Sequence, residues 1–494
     1  MGTADLRHST PSDEGVDSRG IAAFLDALEG DPAIRPHGMI LLRHGAVIAE
    51  GWWAPYSADR VQLLYSLSKS FTSTAAGFAR AERLLELDRP VIDYFPEYDA
   101  EVTDPRTRRM TVRNIASMAS GHASETLDRA LVAGEGNLIL GFLRTPLDAE
   151  PGTIFAYNQP CTYTLAAIVQ RAAGQSLVDY LRPRLFDPLG IRDAFWVEEP
   201  PGMDLGFSGL HATTDAVARL GQLYLQRGRW GETQLLDADW VAEASRVQVR
   251  NSDEWGADWG QGYGLQFWMS RHGYRGDGAY GQFCIVLPEH DMVLALTSET
   301  EEMQRVLDHV WRLLLPAVDG GTDRAADEAL AARLAGAALP VPEGGSEWVP
   351  TSYAFAAPNG AAGVREVRLR AEGEGWALGL VDERGEFAFP VGVGGWAESA
   401  PDGVPIAAVG GWEGDAFRAE VLFLETPHTL GVTSPPVARH PVRAAADPRD
   451  RHRGAVGAAA QLKVSAAAPT SGAALPSAAR SLSCRWSRRS QQQK

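Results

Sequence analysis

The spacing of hydrophobic positions changes repeatedly along this chain of 494 residues. An apolar stripe at helical spacing predicts a helix over residues 17–29, with an aspartate as its N-cap. Two apolar runs at 39–42 and 46–49 flank a His-Gly pair and predict a β-hairpin. A second helix is predicted to start near Ser66 and to end at about residue 87. Strands and helices therefore alternate from the beginning of the chain.

The middle of the chain is mostly helical up to about residue 250, and strands are predicted again over 263–268, 281–287 and 292–297. A further helix is predicted over 302–315. Strands on both sides of a largely helical segment predict one sheet, and its hairpins make that sheet mainly antiparallel. The predicted fold class is α+β, with a large helical insertion covering one face of the sheet.

Changes in composition along the chain predict its domain boundaries. The first domain is predicted to span residues 1–317, followed by an Ala-, Gly- and Pro-rich linker over 318–349. Short alternating runs over 350–432 predict a small all-β domain. Residues 433–494 carry eleven Lys and Arg against two Asp and show no periodicity, which predicts a disordered basic tail. An arm that binds an anionic partner and a stretch translated out of its ancestral frame remain alternatives for this tail.

The net charge of −17 argues against nucleic acid and anionic membrane surfaces as partners, because both are bound by clustered Lys and Arg. The first thirty residues contain no apolar signal-peptide core, and no apolar run is long enough to span a membrane. We therefore expect a cytoplasmic protein. Three widely separated cysteines predict neither a disulfide framework nor a zinc site, so no metal or cofactor is expected.

The lysine count is unusual. Of 46 basic residues only three are Lys, and Lys69 is the one that precedes the tail. Arg cannot be deprotonated in a protein, whereas a desolvated Lys can act as a base. Retention of one lysine by chance explains the count equally well. The residues around Lys69 must therefore distinguish chance from a chemical role.

Ser66 and Lys69 stand three residues apart at the predicted start of a helix, which places both side chains on one face. A Ser hydroxyl needs a neighbouring base before it becomes a good nucleophile. A Lys amine can be that base where burial and the positive end of the helix lower its pKa. The helix start also places the backbone N–H of Ser66 where an oxyanion could accept a hydrogen bond. The pattern predicts a nucleophile–base pair.

The segment Leu64–Ser73 resembles the S-x-x-K motif of the serine β-lactamase and penicillin-binding protein superfamily. The likeness is closest to the class C branch with its esterases, D-amino-acid peptidases and 6-aminohexanoate-dimer hydrolases. Runs at 43–52, 110–122 and 209–214 support it, and it covers roughly residues 10–316. It implies a β-lactamase/transpeptidase-like fold and a serine hydrolase that forms an acyl-enzyme from a small-molecule ester or amide.

The resemblance assigns a second motif, Tyr-x-Asn, to the segment Pro151–Gln159. Tyr157 falls on the tyrosine that relays protons to and from the nucleophile and the leaving group. Gln159 stands at the asparagine position, where its amide can reach Lys69 or the substrate. A buried structural tyrosine is the alternative for Tyr157, and Asn158 is the alternative working amide.

The third motif of the family, Lys-Thr-Gly, is missing, and the segment Tyr274–Gln282 stands in its place. Its Gly-Ala-Tyr-Gly-Gln part is similar to 6-aminohexanoate-dimer hydrolases. This implies a substrate-binding role for Ala279, Tyr280 and Gln282, with a backbone N–H of the first two completing an oxyanion hole. A plain Gly-rich hairpin turn is the alternative. Without the motif's cation, efficient penicillin hydrolysis is not expected unless Arg275 replaces it.

Two other functions remain open. A penicillin-recognising or peptidoglycan-sensing module would keep Ser66 and Lys69 and become acylated without turnover. A scaffold protein would carry its function on the predicted all-β domain and would not react with an acylating serine probe.

Overall fold

The computed structural model describes residues 5–342, 352–356, 364–373, 375–383, 385–434 and 461–465. They form two units, the first of which ends at Ala337. Within these described ranges, no helix combines the length and the apolar character that crossing a membrane requires.

A seven-stranded sheet is the centre of the first unit. The strands of this unit, numbered along the chain, are β1 (Arg7–His8), β2 (Arg35–Arg43), β3 (Ala46–Trp52), β4 (Gln62–Leu63), β5 (Phe195–Trp196), β6 (Leu210–Ala212), β7 (Arg229–Trp230), β8 (Thr233–Gln234), β9 (Trp268–Met269), β10 (Tyr274–Gly278), β11 (Gln282–Leu287) and β12 (Met292–Glu299). The sheet has the order β1-β3-β2-β12-β11-β10-β9. Its neighbours pair antiparallel except for β1 and β3. The predicted antiparallel-dominated sheet is confirmed.

Helices cover both faces of this sheet. They are α1 (Ser18–Glu29), α2 (Ser68–Ala81), α3 (Pro105–Arg109), α4 (Val112–Ala116), α5 (Leu127–Ala133), α6 (Leu138–Arg144), α7 (Gln159–Ala173), α8 (Leu177–Leu181), α9 (Asp187–Leu189), α10 (Thr214–Leu225), α11 (Ala238–Ala244), α12 (Met303–His309) and α13 (Arg324–Ala335). Helix α10 packs on β2, β11 and β12, while α1 contacts β2 and α13 contacts β3. The long helices α2 and α7 pack on each other within the helical insertion. The predicted insertion is therefore present.

Of three element predictions, the structure confirms one and corrects two. Helix α1 is confirmed, and Asp17 caps it by accepting the backbone N–H of Arg19. The predicted end of the second helix near residue 87 is wrong: α2 ends at Ala81, and Arg83 has a positive φ of 60° that no α-helix accommodates. The strand predicted over 263–268 shrinks to β9, which starts at Trp268.

The second unit consists of two sheets. Its strands are β13 (Ser352–Ala356), β14 (Glu366–Glu372), β15 (Gly375–Val381), β16 (Glu386–Val391), β17 (Ala397–Ser399), β18 (Ile406–Glu413), β19 (Ala416–Phe423), β20 (His428–Thr433) and β21 (Gln461–Ser465). Strands β13–β16 form one sheet and β17–β21 the other. The predicted all-β region is confirmed. Strand β21 falls within the stretch predicted as a disordered tail, and the rest of that stretch after Ser434 lies outside the described residues.

Candidate active site

Ser66 lies in a tight turn between strand β4 and helix α2. The turn is the short 3₁₀-helix Tyr65–Leu67, and it follows directly after Leu64, whose N–H donates to the carbonyl of Leu210. Tyr65 has a φ of 48°, a left-handed conformation that is uncommon for a tyrosine. The nucleophile predicted from sequence is therefore held in a sharply bent connection rather than in a regular helix.

Lys69 stands one turn later on α2 and is only 1% exposed. Its Nζ lies 2.9 Å from Oγ of Ser66 and 2.9 Å from the carbonyl oxygen of Phe207, in hydrogen bonds to both. The same Nζ lies 4.8 Å from the centre of the Tyr157 ring. The structure thus brings together the three residues predicted to be catalytic.

Burial determines the protonation of this amine. Desolvation lowers the pKa of Lys69 to about 7, against the opposing effect of two carboxylates, Glu125 and Asp277. At neutral pH a substantial fraction of the amine is therefore unprotonated. An unprotonated amine hydrogen-bonded to a serine hydroxyl can accept that hydroxyl's proton.

Tyr157 contacts both Ser66 and Lys69. Its hydroxyl is hydrogen-bonded to Ser66, and burial raises its pKa above the usual value. The residues on either side of Tyr157 are fixed by Met118, whose carbonyl accepts the N–H of Ala156 at 3.0 Å and whose Sδ accepts the N–H of Asn158 at 3.3 Å. Because its pKa is raised, Tyr157 stays protonated at neutral pH and can donate a proton to a group that reacts at Ser66.

The two amides next to Tyr157 have different surroundings. Asn158 is fully buried, and its Oδ1 accepts hydrogen bonds from the N–H and the hydroxyl of Thr126. Gln159 starts helix α7, and its backbone N–H donates to the carboxylate of Glu125 at 3.0 Å. Its Oε1 is buried without a hydrogen-bond partner. Asn158 Oδ1 thus braces the fold, while Asn158 Nδ2, like Gln159 Oε1, is buried without a hydrogen-bond partner in the described part of the chain, so each amide keeps one unused polar atom.

Glu125 is a site residue that the sequence did not reveal. Its Oε1 accepts the backbone N–H groups of Thr126 and Leu127 at 2.8 and 3.0 Å, at the start of α5. The carboxylate therefore joins the beginnings of α5 and α7. Burial raises the pKa of Glu125, and the nearby Lys69 opposes that rise. No local motif identifies this residue, because it reaches Lys69 only through the tertiary fold.

The end of strand β10 packs tightly against the nucleophile's turn. A Cβ on Gly278 would lie 2.1 Å from the carbonyl oxygen of Leu64, and one on Gly276 would lie 2.4 Å from Oγ of Ser70. Only glycine allows so close an approach. The Gly-x-Gly spacing was the available signal for this contact.

The turn after β10 contains the predicted substrate-binding residues. Ala279 and Tyr280 are partly exposed, and the ring of Tyr280 lies 5.2 Å from that of Tyr65, beside Ser66. Gln282 is fully buried, and its Nε2 donates to the carbonyls of Tyr280 at 3.0 Å and Ser298 at 2.7 Å. The turn is therefore next to the nucleophile, and the Gln282 amide is engaged with the backbone of that turn.

Arg275 does not present a free cation. It is completely buried, its Nε donates to Asp277 at 2.9 Å, and its Nη1 donates to the hydroxyl of Ser270 and to two backbone carbonyls. Its guanidinium lies 4.4 Å from the ring of Trp259, which also donates a hydrogen bond to Asp277. The segment that stands in place of Lys-Thr-Gly therefore contains a buried cation that is paired with Asp277 and whose Nη2 has no hydrogen-bond partner among the described residues.

A serine hydrogen-bonded to a buried lysine of lowered pKa and to a buried tyrosine is the arrangement expected of a serine hydrolase. A family model described as beta-lactamase matches residues 22–319, more than half of the chain. The chain therefore belongs to the β-lactamase family.

Individual relatives agree with this assignment. The 6-aminohexanoate-dimer hydrolase of Paenarthrobacter ureafaciens is 28% identical over 280 residues, which cover 52% of this chain and 71% of that protein. Esterase EstB of Burkholderia gladioli is 26% identical over 219 residues, 39% of this chain and 55% of that protein. The octameric penicillin-binding protein homologue from Pyrococcus abyssi matches with a TM-score of 0.50 and 14% identity over 84% of this chain and 98% of its own, which shows the fold alone.

Proposed function

We propose that the protein hydrolyses an ester or a small amide through an acyl-enzyme on Ser66. The observation that carries the proposal is the buried amine of Lys69, 2.9 Å from the serine hydroxyl. The names of the two curated relatives, an esterase and a 6-aminohexanoate-dimer hydrolase, support this reaction class.

In the proposed reaction Ser66 Oγ attacks the substrate carbonyl while Lys69 Nζ accepts the hydroxyl proton. Tyr157 donates its proton to the leaving group and regains one from the water that attacks the acyl-enzyme, and protonated Lys69 returns its proton to Ser66 Oγ as the acyl group leaves. The backbone N–H of Ser66 and one from Ala279 or Tyr280 stabilise the oxyanion. Gln159 contributes its free acceptor to substrate binding, and Gln282 contributes by holding the turn.

We do not expect efficient hydrolysis of penicillins. Recognition of a substrate carboxylate needs an available cation, and the guanidinium of Arg275 is buried in its pair with Asp277. Asp277 and Glu125 instead add negative charge near Lys69. Both features favour substrates without a carboxylate beside the scissile bond.

The test is intact-protein mass spectrometry after treatment with a serine-directed phosphonate, followed by mapping of the labelled peptide. We expect one label, on Ser66, and none in Ser66→Ala. Labelling of another residue, or an unmodified protein, would overturn the proposal.

Turnover of a nitrophenyl ester separates hydrolysis from the alternative of acylation without turnover. Continued release of nitrophenol after the first equivalent supports an enzyme. A single stoichiometric burst would identify a penicillin-recognising or peptidoglycan-sensing module instead.

A further inference from the structure

Trp255 exposes a large aromatic surface near the candidate active site. Its side chain is 43% exposed, and it is the only aromatic residue among the exposed large apolar side chains of the described ranges. It lies in the short 3₁₀-helix Asp253–Trp255, within the loop between α11 and β9. A single exposed apolar side chain is ordinary on a protein surface. A functional role for Trp255 therefore has to be argued from the residues around it.

Those neighbours form a continuous series of rings that leads to Tyr157. Trp255 lies 5.4 Å from Phe155 and 5.8 Å from Trp268, measured between ring centres. Trp268 in turn stacks on Tyr157 at 5.1 Å with an interplanar angle of 20°. We call these four residues the aromatic wall. It connects the proposed proton donor with the protein surface.

The loop that carries Trp255 is fixed at several points. Asn251 bonds the carbonyl of Trp259 through its Nδ2, and its Oδ1 accepts the N–H of Gly262 at 2.6 Å. Asp258 is fully buried and accepts hydrogen bonds from Arg271 at 2.7 Å and from two other side chains. The exposed indole is therefore presented by an anchored loop, as a preformed binding surface requires.

We propose that the aromatic wall binds an apolar leaving group, so that the preferred substrates are esters or amides of aliphatic or aromatic alcohols and amines. The inference rests on the proposed function, in which Tyr157 gives its proton to the leaving group. A group that receives this proton must lie beside the Tyr157 hydroxyl. An apolar extension of that group meets the accessible rings of Phe155 and Trp255, and the buried ring of Trp268 supports both from behind.

Two series of unactivated esters separate the leaving-group side from the acyl side. One series holds the acyl group at acetate and lengthens the primary alcohol from methyl through butyl to hexyl. The other holds the leaving group at methanol and lengthens the acyl chain over the same range. Acid release in a pH-stat gives kcat/KM for both series, and the intrinsic reactivity changes little within either.

For the wild-type protein we expect kcat/KM to rise about threefold for each methylene that the alcohol buries on the rings. Trp255→Ala should lower kcat/KM for hexyl acetate about tenfold and leave methyl acetate within twofold. Trp255→Phe keeps an apolar ring and should retain most of the chain-length dependence. Val132→Ala is the matched control, because Val132 is 81% exposed on α5 and is not part of the wall.

A flat alcohol series, or a Trp255→Ala effect confined to the acyl series, would overturn the inference. Both results leave the proposed function standing, since methyl acetate is still hydrolysed through Ser66. Failure to hydrolyse any ester, together with failure of the phosphonate to label Ser66, would overturn the proposed function and the inference with it. An unchanged melting temperature shows that Trp255→Ala acts on binding and not on folding.

Discussion

The amine of Lys69 is fully solvated in an unfolded chain and almost completely buried in the folded one. Burial disfavours the charged form, which is why its pKa falls to about 7. Burial of such an amine lowers the free energy of unfolding, so a purely structural role does not account for a lysine at this position. The single lysine of the described catalytic unit therefore occupies the position where an unprotonated amine is chemically useful.

The first prediction concerns the pH dependence of catalysis. Because the proposed base must be unprotonated, kcat/KM should rise as the pH increases through about 7, the pKa of Lys69. Initial rates with a neutral ester between pH 5 and 9 measure this limb. Lys69→Arg should reduce kcat/KM by about 10³-fold or more, because a guanidinium stays protonated throughout this range. Comparable activity in Lys69→Arg would contradict the role of the neutral amine.

The second prediction concerns Glu125, whose negative charge raises the pKa of Lys69. Glu125→Gln retains an oxygen that can accept the N–H groups of Thr126 and Leu127, but it removes the charge and the oxygen that accepts the N–H of Gln159. The pKa of Lys69 should then fall further, so the acid limb of kcat/KM should move to lower pH. The same rate measurements detect this shift.

Asp128→Asn is the control for this variant, because it removes an exposed charge from the same helix, α5. We expect Asp128→Asn to leave the acid limb where it is in the wild type. An acid limb that stays in place in Glu125→Gln as well would show that Glu125 does not act on the amine electrostatically.

Among the elements, strand β10 has the strictest packing requirement. Its Gly278 leaves room for the carbonyl of Leu64, and the two chain segments touch directly beside Ser66. A side chain at this position must push the strand away from the 3₁₀-turn that holds the nucleophile. The geometry of the site thus depends on a contact between two backbones.

The third prediction follows from this contact. Gly278→Ala should destabilise the protein by about 1–3 kcal/mol and lower kcat, because the new Cβ would lie 2.1 Å from the Leu64 oxygen. Gly395→Ala is the control, since a Cβ there meets nothing within 4 Å. Thermal unfolding followed by circular dichroism and steady-state kinetics measure both effects. Equal stability and activity in the two variants would refute the packing argument.

The elements also show what the sequence could predict. Ser66 and Lys69 are three residues apart, so a local pattern was enough to place them together. Glu125 and the Phe207 carbonyl reach Lys69 from distant parts of the chain, and no local signal connects them with it. The sequence did not predict strand β10, because glycines are typical of turns. In this strand glycine is required by the close approach of the backbone to α2 and to the turn before it.

At the scale of the whole molecule, the described site residues all belong to the first unit, which ends at Ala337. This unit has its own apolar core around α2, α7 and α10. A unit with a separate core can fold by itself. The catalytic unit should therefore be separable from the all-β unit, and the remaining question is where it ends.

The contacts of helix α13 distinguish two possible ends of the first unit, the predicted one at residue 317 and the one at Ala337. It is tied to α1 by Arg333, which pairs with Asp26 at 2.8 Å and with Glu29 at 3.0 Å. Its Leu330 and Leu334 are 4% and 5% exposed, so they are part of the buried core. A chain that stops at residue 317 loses these contacts and exposes apolar surface on the sheet.

The last prediction compares the two truncated chains. The chain ending at Ala337 should keep kcat/KM for methyl acetate within about threefold of the full-length value, because the residues proposed to be catalytic and their packing are retained. The chain ending at residue 317 should melt about 10 °C lower, since two buried leucines are lost. Calorimetry and pH-stat rates on both chains provide the comparison. A folded but inactive chain ending at Ala337 would mean that residues of the second unit take part in catalysis, and equal melting temperatures would place the boundary at 317.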